Sequence, residues 1–306
     1  MFNYTKVSPK MTHPMKPKLI KGLSSLDFDG LISYIKNGFA QNTVFLTGAG
    51  ASVAAGIPDF RSPGTGVYSN LEKYNLPYPE APFSIDYFDN NPAPFFEIKQ
   101  PFLSGDFKPV APHYMATLFD RHDLLLRLYT QNVDGLDRKA GVSEDKLVEC
   151  HGTYSTNTCR NCGDKSKHED YLEEFKTGKV VYCKKCGIGV VKPDSVLFGE
   201  SLPKRFYHLY PNDFASADLL IVIGTSLKVT PCSLLPGYCR KDCLRVLINK
   251  EPVATYEEKV SVDERRNVLV DLAENSHKEL FKFGHVTNRR DIFPSGRLRR
   301  NMQTNN

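Results

Sequence analysis

The stretch Val44-Phe45-Leu46-Thr47-Gly48-Ala49-Gly50-Ala51-Ser52 decides the fold. Val44, Phe45 and Leu46 form a short apolar strand, and a glycine-rich turn comes directly after it. Glycine leaves no Cβ where a backbone must approach a pyrophosphate, and a helix that starts there offers free N–H groups. The turn alone fits a nucleotide site and a purely structural bend equally well. It also departs from the usual dinucleotide fingerprint, which has a third glycine three positions after the second and an acid about 20 residues on. Here the next glycine is Gly56, and residues 66–71 hold no acid.

The residues after the turn give that departure a meaning. Gly56-Ile57-Pro58-Asp59-Phe60-Arg61 sets a carboxylate, an aromatic ring and a guanidinium just beyond the cradle. Hydride transfer has no use for them there. A site that binds a nicotinamide amide and strains it for cleavage can use Asp59 as acceptor and Phe60 as a water shield.

Outward from this stretch, apolar residues at Phe28, Leu31, Ile32, Ile35 and Phe39 predict a helix over 26–39, ahead of the first strand. Apolar strands recur at 124–129, 146–150, 219–223 and 244–248, with room between them for crossover helices. Strands apolar on both sides predict an α/β fold, with a parallel sheet covered by helices on both faces. In such sheets ligands bind beyond the C-terminal strand ends. Residues 48–61, 131–134, 151, 224–226 and 249–250 all come directly after those strands, so they converge on one site.

Other segments stand outside this alternation. Residues 1–22, with three prolines among lysines, read as a loose arm, and 285–306 as a basic tail. Residues 153–191 read as an inserted metal-binding module between sheet halves 23–152 and 192–284. Residues 62–120 form a second insertion, rich in proline and aromatics, expected to add helices and the cofactor loop to the small domain. Cys159-x-x-Cys162, 20 intervening residues and Cys183-x-x-Cys186 have the spacing of a four-thiolate zinc site. Four thiolates leave no open position, so the metal is structural. Cys150, Cys232, Cys239 and Cys243 read as packed thiols.

His151-Gly152 sits at a strand end, where an imidazole that titrates near neutrality can act as general base. Its expected neighbours are the glycine loop and Gln131-Asn132-Val133-Asp134. The other seven histidines have no such company in the sequence.

The 306 residues are enough for a large core plus a small module. A net charge of +5 is too slight for an electrostatic nucleic-acid footprint. No apolar run suggests a membrane span. Cysteines paired in metal-site spacing point to a reducing compartment, cytoplasm or nucleus, with the lysine-bearing first 26 residues leaving a mitochondrial address open.

Taken in order, GAGASVAAGIPDFRSPGTGVY, TQNVDGLD, HG, the paired knuckles, VKPDSVLFGE, GTSLKV and INK resemble the sirtuin family, class I, closest in type to its cytosolic and mitochondrial deacetylases. The resemblance implies a Rossmann-like NAD-binding domain, a small zinc domain, and an acyl-lysine peptide between them. Carried over by motif, Gly48, Ala49, Gly50 and Ser52 cradle the phosphates. Ile57, Asp59, Phe60 and Arg61 line the nicotinamide pocket and its loop. Gln131, Asn132 and Asp134 contact ribose and nicotinamide, and Gly224, Thr225, Ser226, Asn249 and Lys250 hold the adenosine end. Val196, Phe198, Gly199 and Glu200 resemble the strand that pairs with the substrate backbone, with Val229 on its other side.

The implied reaction is attack of the acyl oxygen on ribose C1′ as nicotinamide leaves, with His151 then deprotonating the ribose hydroxyls and Asn132 assisting. The products are free lysine, nicotinamide and O-acyl-ADP-ribose. Acylated proteins of histone or cytoskeletal type are the implied partners. No arginine lies between Arg61 and Arg121, so a neutral acyl group, acetyl or a longer chain, is expected over succinyl or malonyl. Two other readings stand beside this one: mono-ADP-ribosyl transfer from the same site, and a zinc-module protein that binds nucleic acid. Residues 251–264 and 271–275 match no motif of the family.

Overall fold

A computed structural model describes residues 21–25, 27–59, 67, 71, 74–250 and 253, together with the backbone of 267–271. The expected arm, the basic tail, Phe60, Arg61 and nearly all of 251–264 lie outside the described residues.

The helix expected over 26–39 is α1, Phe28–Lys36. Asp27 caps it by accepting the Gly30 N–H at 2.8 Å, which satisfies a donor that the first turn cannot. It stops where Gly38 enters the left-handed region at φ 77°. Next come β1 (Thr43–Thr47), β2 (Leu125–Thr130), β3 (Leu147–Glu149), β7 (Leu219–Ile223) and β8 (Leu244–Asn249), close to the five apolar runs in the sequence. A further strand, β9 (Asn267–Asp271), lies beside β8. The sheet order is β3-β2-β1-β7-β8-β9, and every pairing is parallel.

Within this sheet the chain runs outward from β1 to β2 and β3, then returns to the other side of β1 for β7, β8 and β9. Connections after β1 and β7 therefore leave in opposite directions, and a crevice opens between them at the C-terminal strand ends. Alternate side chains go to opposite faces. Phe45, Leu128, Ile221 and Val246 pack under α1 and α4 (Ala111–Arg121). Val44, Leu46, Tyr129 and Val222 pack against Phe206 and Phe214 of α7 (Lys204–Ser216). Each such side chain is fully buried, and is worth about 1.5–3 kcal/mol of transfer free energy. The Tyr129 hydroxyl donates to Asp213 at 2.7 Å, and Arg127 pairs with the same carboxylate at 2.8 Å, tying α7 to β2.

A second sheet, β5-β4-β6, is antiparallel and consists of β4 (Gly152–Cys159), β5 (Lys165–Lys167) and β6 (Val191–Ser195). Its core joins both insertions. Phe88 of α2 (Ile85–Asn90) and Phe95, Phe96 and Leu103 of α3 (Ala93–Ser104) are buried with Phe175 of α6 (Leu172–Lys176) and with Cys159 and Cys183. Phe96 stacks on Phe175 at 6.3 Å between centroids, and Arg160 in the first knuckle grips Asp89 with two hydrogen bonds of 2.9 and 2.6 Å. The second insertion thus divides: α2 and α3 go with the zinc module, while α4 packs on the large sheet.

No helix among the described residues is long and apolar enough to cross a membrane.

Candidate active site

The loops after β1, β2, β3 and β7 extend the sheet's hydrogen-bond ladder. Gly48 N–H donates to Ile223 O at 3.0 Å, Gln131 N–H to Thr47 O at 2.9 Å, Cys150 N–H to Thr130 O at 2.8 Å and Gly224 N–H to Ile248 O at 3.0 Å. Residues 48, 131, 151, 224 and 249 therefore sit at one end of the sheet. Gly48 and Gly50 have a reason to be glycine beyond the expected one. A Cβ on Gly48 would lie 2.7 Å from Thr225 Cβ, and one on Gly50 would lie 2.7 Å from Gly224 Cα. The loops after β1 and β7 touch backbone to backbone, and the Gly50 N–H is taken by Gly224 O at 2.8 Å. Gly224 itself has φ 61° and would place a Cβ 2.3 Å from Ala51 N.

The polar residues expected to meet cofactor first hold one another. Asn132 Nδ2 donates to Gly48 O at 3.0 Å and to Ser52 Oγ at 3.1 Å. The Ser52 hydroxyl donates to Asp134 Oδ2 at 2.7 Å, and the other carboxylate oxygen accepts the Leu136 N–H at 2.9 Å. Gln131 Nε2 donates to Thr225 Oγ1 at 3.0 Å. Among the outermost positions Gly50, Ser226 and Lys250 are exposed, while Ala49, Asp59, Gly224 and Asn249 are half-buried and Ile57 and Thr225 are buried.

His151 is half-buried, and its tautomer is set by its partner. Nδ1 lies 2.9 Å from Gln131 O; a carbonyl can only accept, so Nδ1 carries the proton and Nε2 keeps its lone pair in the neutral ring. That lone pair makes Nε2 the basic atom. The Cys232 thiol, on the turn Cys232–Tyr238, lies 3.8 Å from it. Burial alone would lower the imidazole's pKa, but Cys232 and the Gln131 carbonyl outweigh it and the net shift is upward. Cys150 and, against burial, His151 together draw the Cys232 thiol down to about 6.

Two residues of this site escaped sequence reasoning. His113, on the first turn of α4, is 1% exposed. Val110 N–H donates to its Nδ1 at 3.1 Å, so Nε2 carries the proton and donates to Ser52 Oγ at 3.3 Å. Burial lowers its pKa, which keeps the ring neutral. The expectation that no other histidine has the company of the site is thus corrected, and Cys232, packed as expected, also borders His151. Neither position carries a local pattern that would have flagged it.

The residues expected to form the substrate strand are adjacent. Val196 N–H donates to His151 O at 2.7 Å, which hangs this segment on the histidine. Phe198 pairs with the 83–85 segment through both of its backbone groups, donating to Phe83 O at 2.7 Å and accepting from Ile85 N–H at 2.9 Å. The Glu200 carboxylate accepts from Leu197 N–H at 2.8 Å and from buried Lys192 at 3.0 Å, so it braces the segment from within. Among the described residues neither the Val196 carbonyl nor the Gly199 N–H has an internal partner. Val229, across the crevice, is half-buried, and its carbonyl accepts the Ser233 N–H at 2.9 Å.

At the far end of β4, the sulfurs of Cys159, Cys162, Cys183 and Cys186 lie within 4.8 Å of one another. The Cys159–Cys186 and Cys162–Cys183 separations are 3.7 and 3.8 Å. Zn–S bonds of about 2.3 Å in a tetrahedron set neighbouring sulfurs about 3.8 Å apart, which these two separations match, so the four thiols fit a zinc ion. The two halves share one design. Gly163 and Gly187, each four residues after the first cysteine of its pair, take φ 70° and 72°, and their N–H groups donate to Cys159 O and Cys183 O. All four positions are filled by protein, which leaves none for a catalytic water.

A family model described as the Sir2 family matches residues 48–231. The chain is 44% identical over 239 residues to the NAD-dependent protein deacetylase sirtuin-2 of Danio rerio, covering 78% of this chain and 63% of that protein. It is 46% identical over 237 residues to the NAD-dependent protein deacetylase sirtuin-3 of Mus musculus, covering 78% and 69%. With the NAD-dependent deacetylase sir2A of Dictyostelium discoideum, identity is 47% over 227 residues, 74% of this chain and 44% of that protein. The matched region thus spans 44% to 69% of these relatives' lengths.

Proposed function

The chain belongs to the Sir2 family, and from that membership we propose that it removes acetyl and longer neutral acyl groups from protein lysines with consumption of NAD. The observation that carries the proposal is the protonation pattern of His151: Nδ1–H is held by Gln131 O at 2.9 Å, and the basic Nε2 is turned away from the sheet's ladder. A general base needs a free lone pair in a fixed direction. The relatives' printed names supply the substrate class, and the crevice between the β1 and β7 loops supplies the place for a dinucleotide.

The crevice suits NAD in the groups it offers. Gly50, Ser226 and Lys250 are exposed beyond the ends of β1, β7 and β8, side by side in the sheet, so a dinucleotide laid across them meets a backbone turn, a hydroxyl and a cation. Bound NAD supplies an electrophilic ribose carbon as nicotinamide departs. The protein's part is to bind and orient. Ser52, Asn132 and Asp134 tie the floor of the crevice together, and on this reading Ile57 and Asp59 serve the nicotinamide end and Asn249 and Lys250 the adenosine end. His151 Nε2 takes the proton from a ribose hydroxyl and Nδ1–H stays on Gln131, so the imidazolium is stabilised where it forms.

The acyl-lysine backbone pairs with the Val196 carbonyl and the Gly199 N–H, entering as an added strand between residues 196–200 and Val229. Zinc holds the small domain that carries this edge. The four cysteines gathered in metal-site geometry support a reducing compartment, cytoplasm or nucleus, with a mitochondrial address left open. The test is mass spectrometry of an acetyl-lysine peptide incubated with NAD. Wild type yields O-acetyl-ADP-ribose and His151→Ala does not. Label passing from NAD to protein would favour ADP-ribosyl transfer instead, and succinyl-lysine turned over as well as acetyl-lysine would refute the neutral-acyl preference.

A further inference from the structure

The segment expected to receive the substrate backbone is built around a buried charge pair that the chemistry at His151 does not use. Lys192, in β6, is 6% exposed. Its ammonium donates to Ser195 O at 2.7 Å, to Pro193 O at 3.2 Å and to the Glu200 carboxylate at 3.0 Å. Three N–H donors thus meet three acceptors. The carboxylate oxygen that meets Lys192, Glu200 Oε2, also takes the Leu197 N–H at 2.8 Å. Apolar side chains of similar volume often hold a fold as well as a buried ion pair does, so this pair calls for a reason other than stability.

Followed one peptide unit at a time, the segment has all but two of its groups engaged. The 195–196 unit is held at both ends, its carbonyl by Lys192 and its N–H by His151 O at 2.7 Å. The 196–197 unit has its N–H on Glu200; because a trans peptide is planar, that bond turns the Val196 carbonyl the opposite way. The 197–198 unit accepts the Glu200 N–H at 3.0 Å and donates to Phe83 O at 2.7 Å. The 198–199 unit accepts the Ile85 N–H at 2.9 Å. Among the described residues this leaves one acceptor, Val196 O, and one donor, the Gly199 N–H, for an added strand.

We propose that Lys192 and Glu200 are positioning residues for the acyl-lysine peptide, a buried pair that fixes the plane of the 196–197 unit so that Val196 O faces the incoming strand. Both side chains act from behind the edge and neither meets the substrate. The ammonium holds the carboxylate in place; Glu200, whose side chain is 24% exposed, would otherwise turn to water and release the Leu197 N–H. The same ammonium holds Ser195 O, and the N–H of that peptide unit is on His151 O, so one buried charge sets the docking edge relative to the base. The role rests on the proposed function, because it needs a peptide that pairs with this edge.

The test measures binding of an acetyl-lysine peptide to the zinc-loaded protein by fluorescence anisotropy, separately from turnover, with NAD affinity by calorimetry as the check on the fold. The peptide is made unmodified and with one backbone amide at a time N-methylated, at the acetyl-lysine and at each neighbour. In wild type, the methylation that removes the hydrogen bond to Val196 O should cost about 10-fold in affinity. Glu200→Ala should bind the unmodified peptide about 10-fold more weakly and lose nothing further on that methylation, with NAD affinity unchanged. Glu200→Gln, whose amide oxygen can still accept the Leu197 N–H, should bind within about 3-fold of wild type. Lys192→Met should match Glu200→Ala; if it does not fold, Glu200→Ala still decides.

Unchanged affinity for the unmodified peptide in Glu200→Ala would overturn the proposal. So would a methylation that costs as much in that variant as in wild type, since a general loss of structure leaves the pattern the same. Folded wild type that binds no peptide would overturn it too. A peptide that binds with the expected pattern but is not deacylated would refute the proposed function and leave the positioning pair standing.

Discussion

Replacing Asp137 by asparagine isolates one buried charge next to the active site. Asp137 lies on α5 (Leu136–Ala140), three residues after Asp134; it is 3% exposed, and its Oδ1 has no hydrogen-bond partner. Burial first, then the Asp134 charge, and more weakly Glu149, raise its pKa from 3.8 to about 7, against a hydrogen bond from Thr130. The fold therefore prefers the protonated acid. That preference is fully present below pH 3.8 and is lost as pH rises toward 7, where the folded protein must ionise too. Each pH unit in that window costs about 1.4 kcal/mol. From pH 5 to pH 8 the wild type gives up about 2.5 kcal/mol from this residue, out of about 4 kcal/mol over the whole window.

Asparagine has nearly the same shape and does not titrate. Any penalty for its amide is the same at both pH values and cancels. Urea unfolding of wild type and Asp137→Asn at pH 5 and pH 8 gives the double difference directly, since all other titrating groups are common to both proteins. The variant should gain about 2.5 kcal/mol on wild type between the two pH values. A difference between the two proteins that is the same at pH 5 and pH 8 would refute the reasoning, because the carboxylate would then ionise in the fold at no extra cost.

The zinc centre predicts one zinc per chain by metal analysis and loss of soluble, folded protein on Cys183→Ser; a stable, metal-free protein would contradict it. For the proposed base, the raised pKa of His151 means that the neutral ring is lost as pH falls, starting above the ordinary 6.5. The acid limb of kcat/KM should have its midpoint above that value and move down in Cys232→Ala; a midpoint below 6 in wild type would count against the Cys232 contact. His113→Phe takes one donor from Ser52, which keeps Asp134 and Asn132, and leaves the Val110 N–H without its acceptor; it should cost about 1–3 kcal/mol of stability. His113→Asn, which can restore one donor, should recover part of the loss in thermal melts.

Much of this architecture was legible because its signals are local. A strand buried on both faces is a run such as Leu219–Ile223, and a zinc knuckle is two cysteines three apart with a glycine after them. The position of His151 after a strand end could be read in the same way, as could the glycine turn after β1. The reason for the glycines could not. Their Cβ positions are closed by Gly224 and Thr225, which come from a strand more than 170 residues later in the chain.

Spacing and apolar period, both properties of a few consecutive residues, determined the five apolar strands, the metal ligands and the class of fold from the sequence alone, but not β4, β5, β6 or β9. Only the tertiary structure decided that β1 lies between β2 and β7, that α3 serves the zinc module while α4 serves the large sheet, and that His113 meets Ser52 and Cys232 meets His151. Those pairs are 61 and 81 residues apart. Contacts at that range depend on the order in which strands join the sheet, and that order is set by packing both faces at once, which no local pattern records.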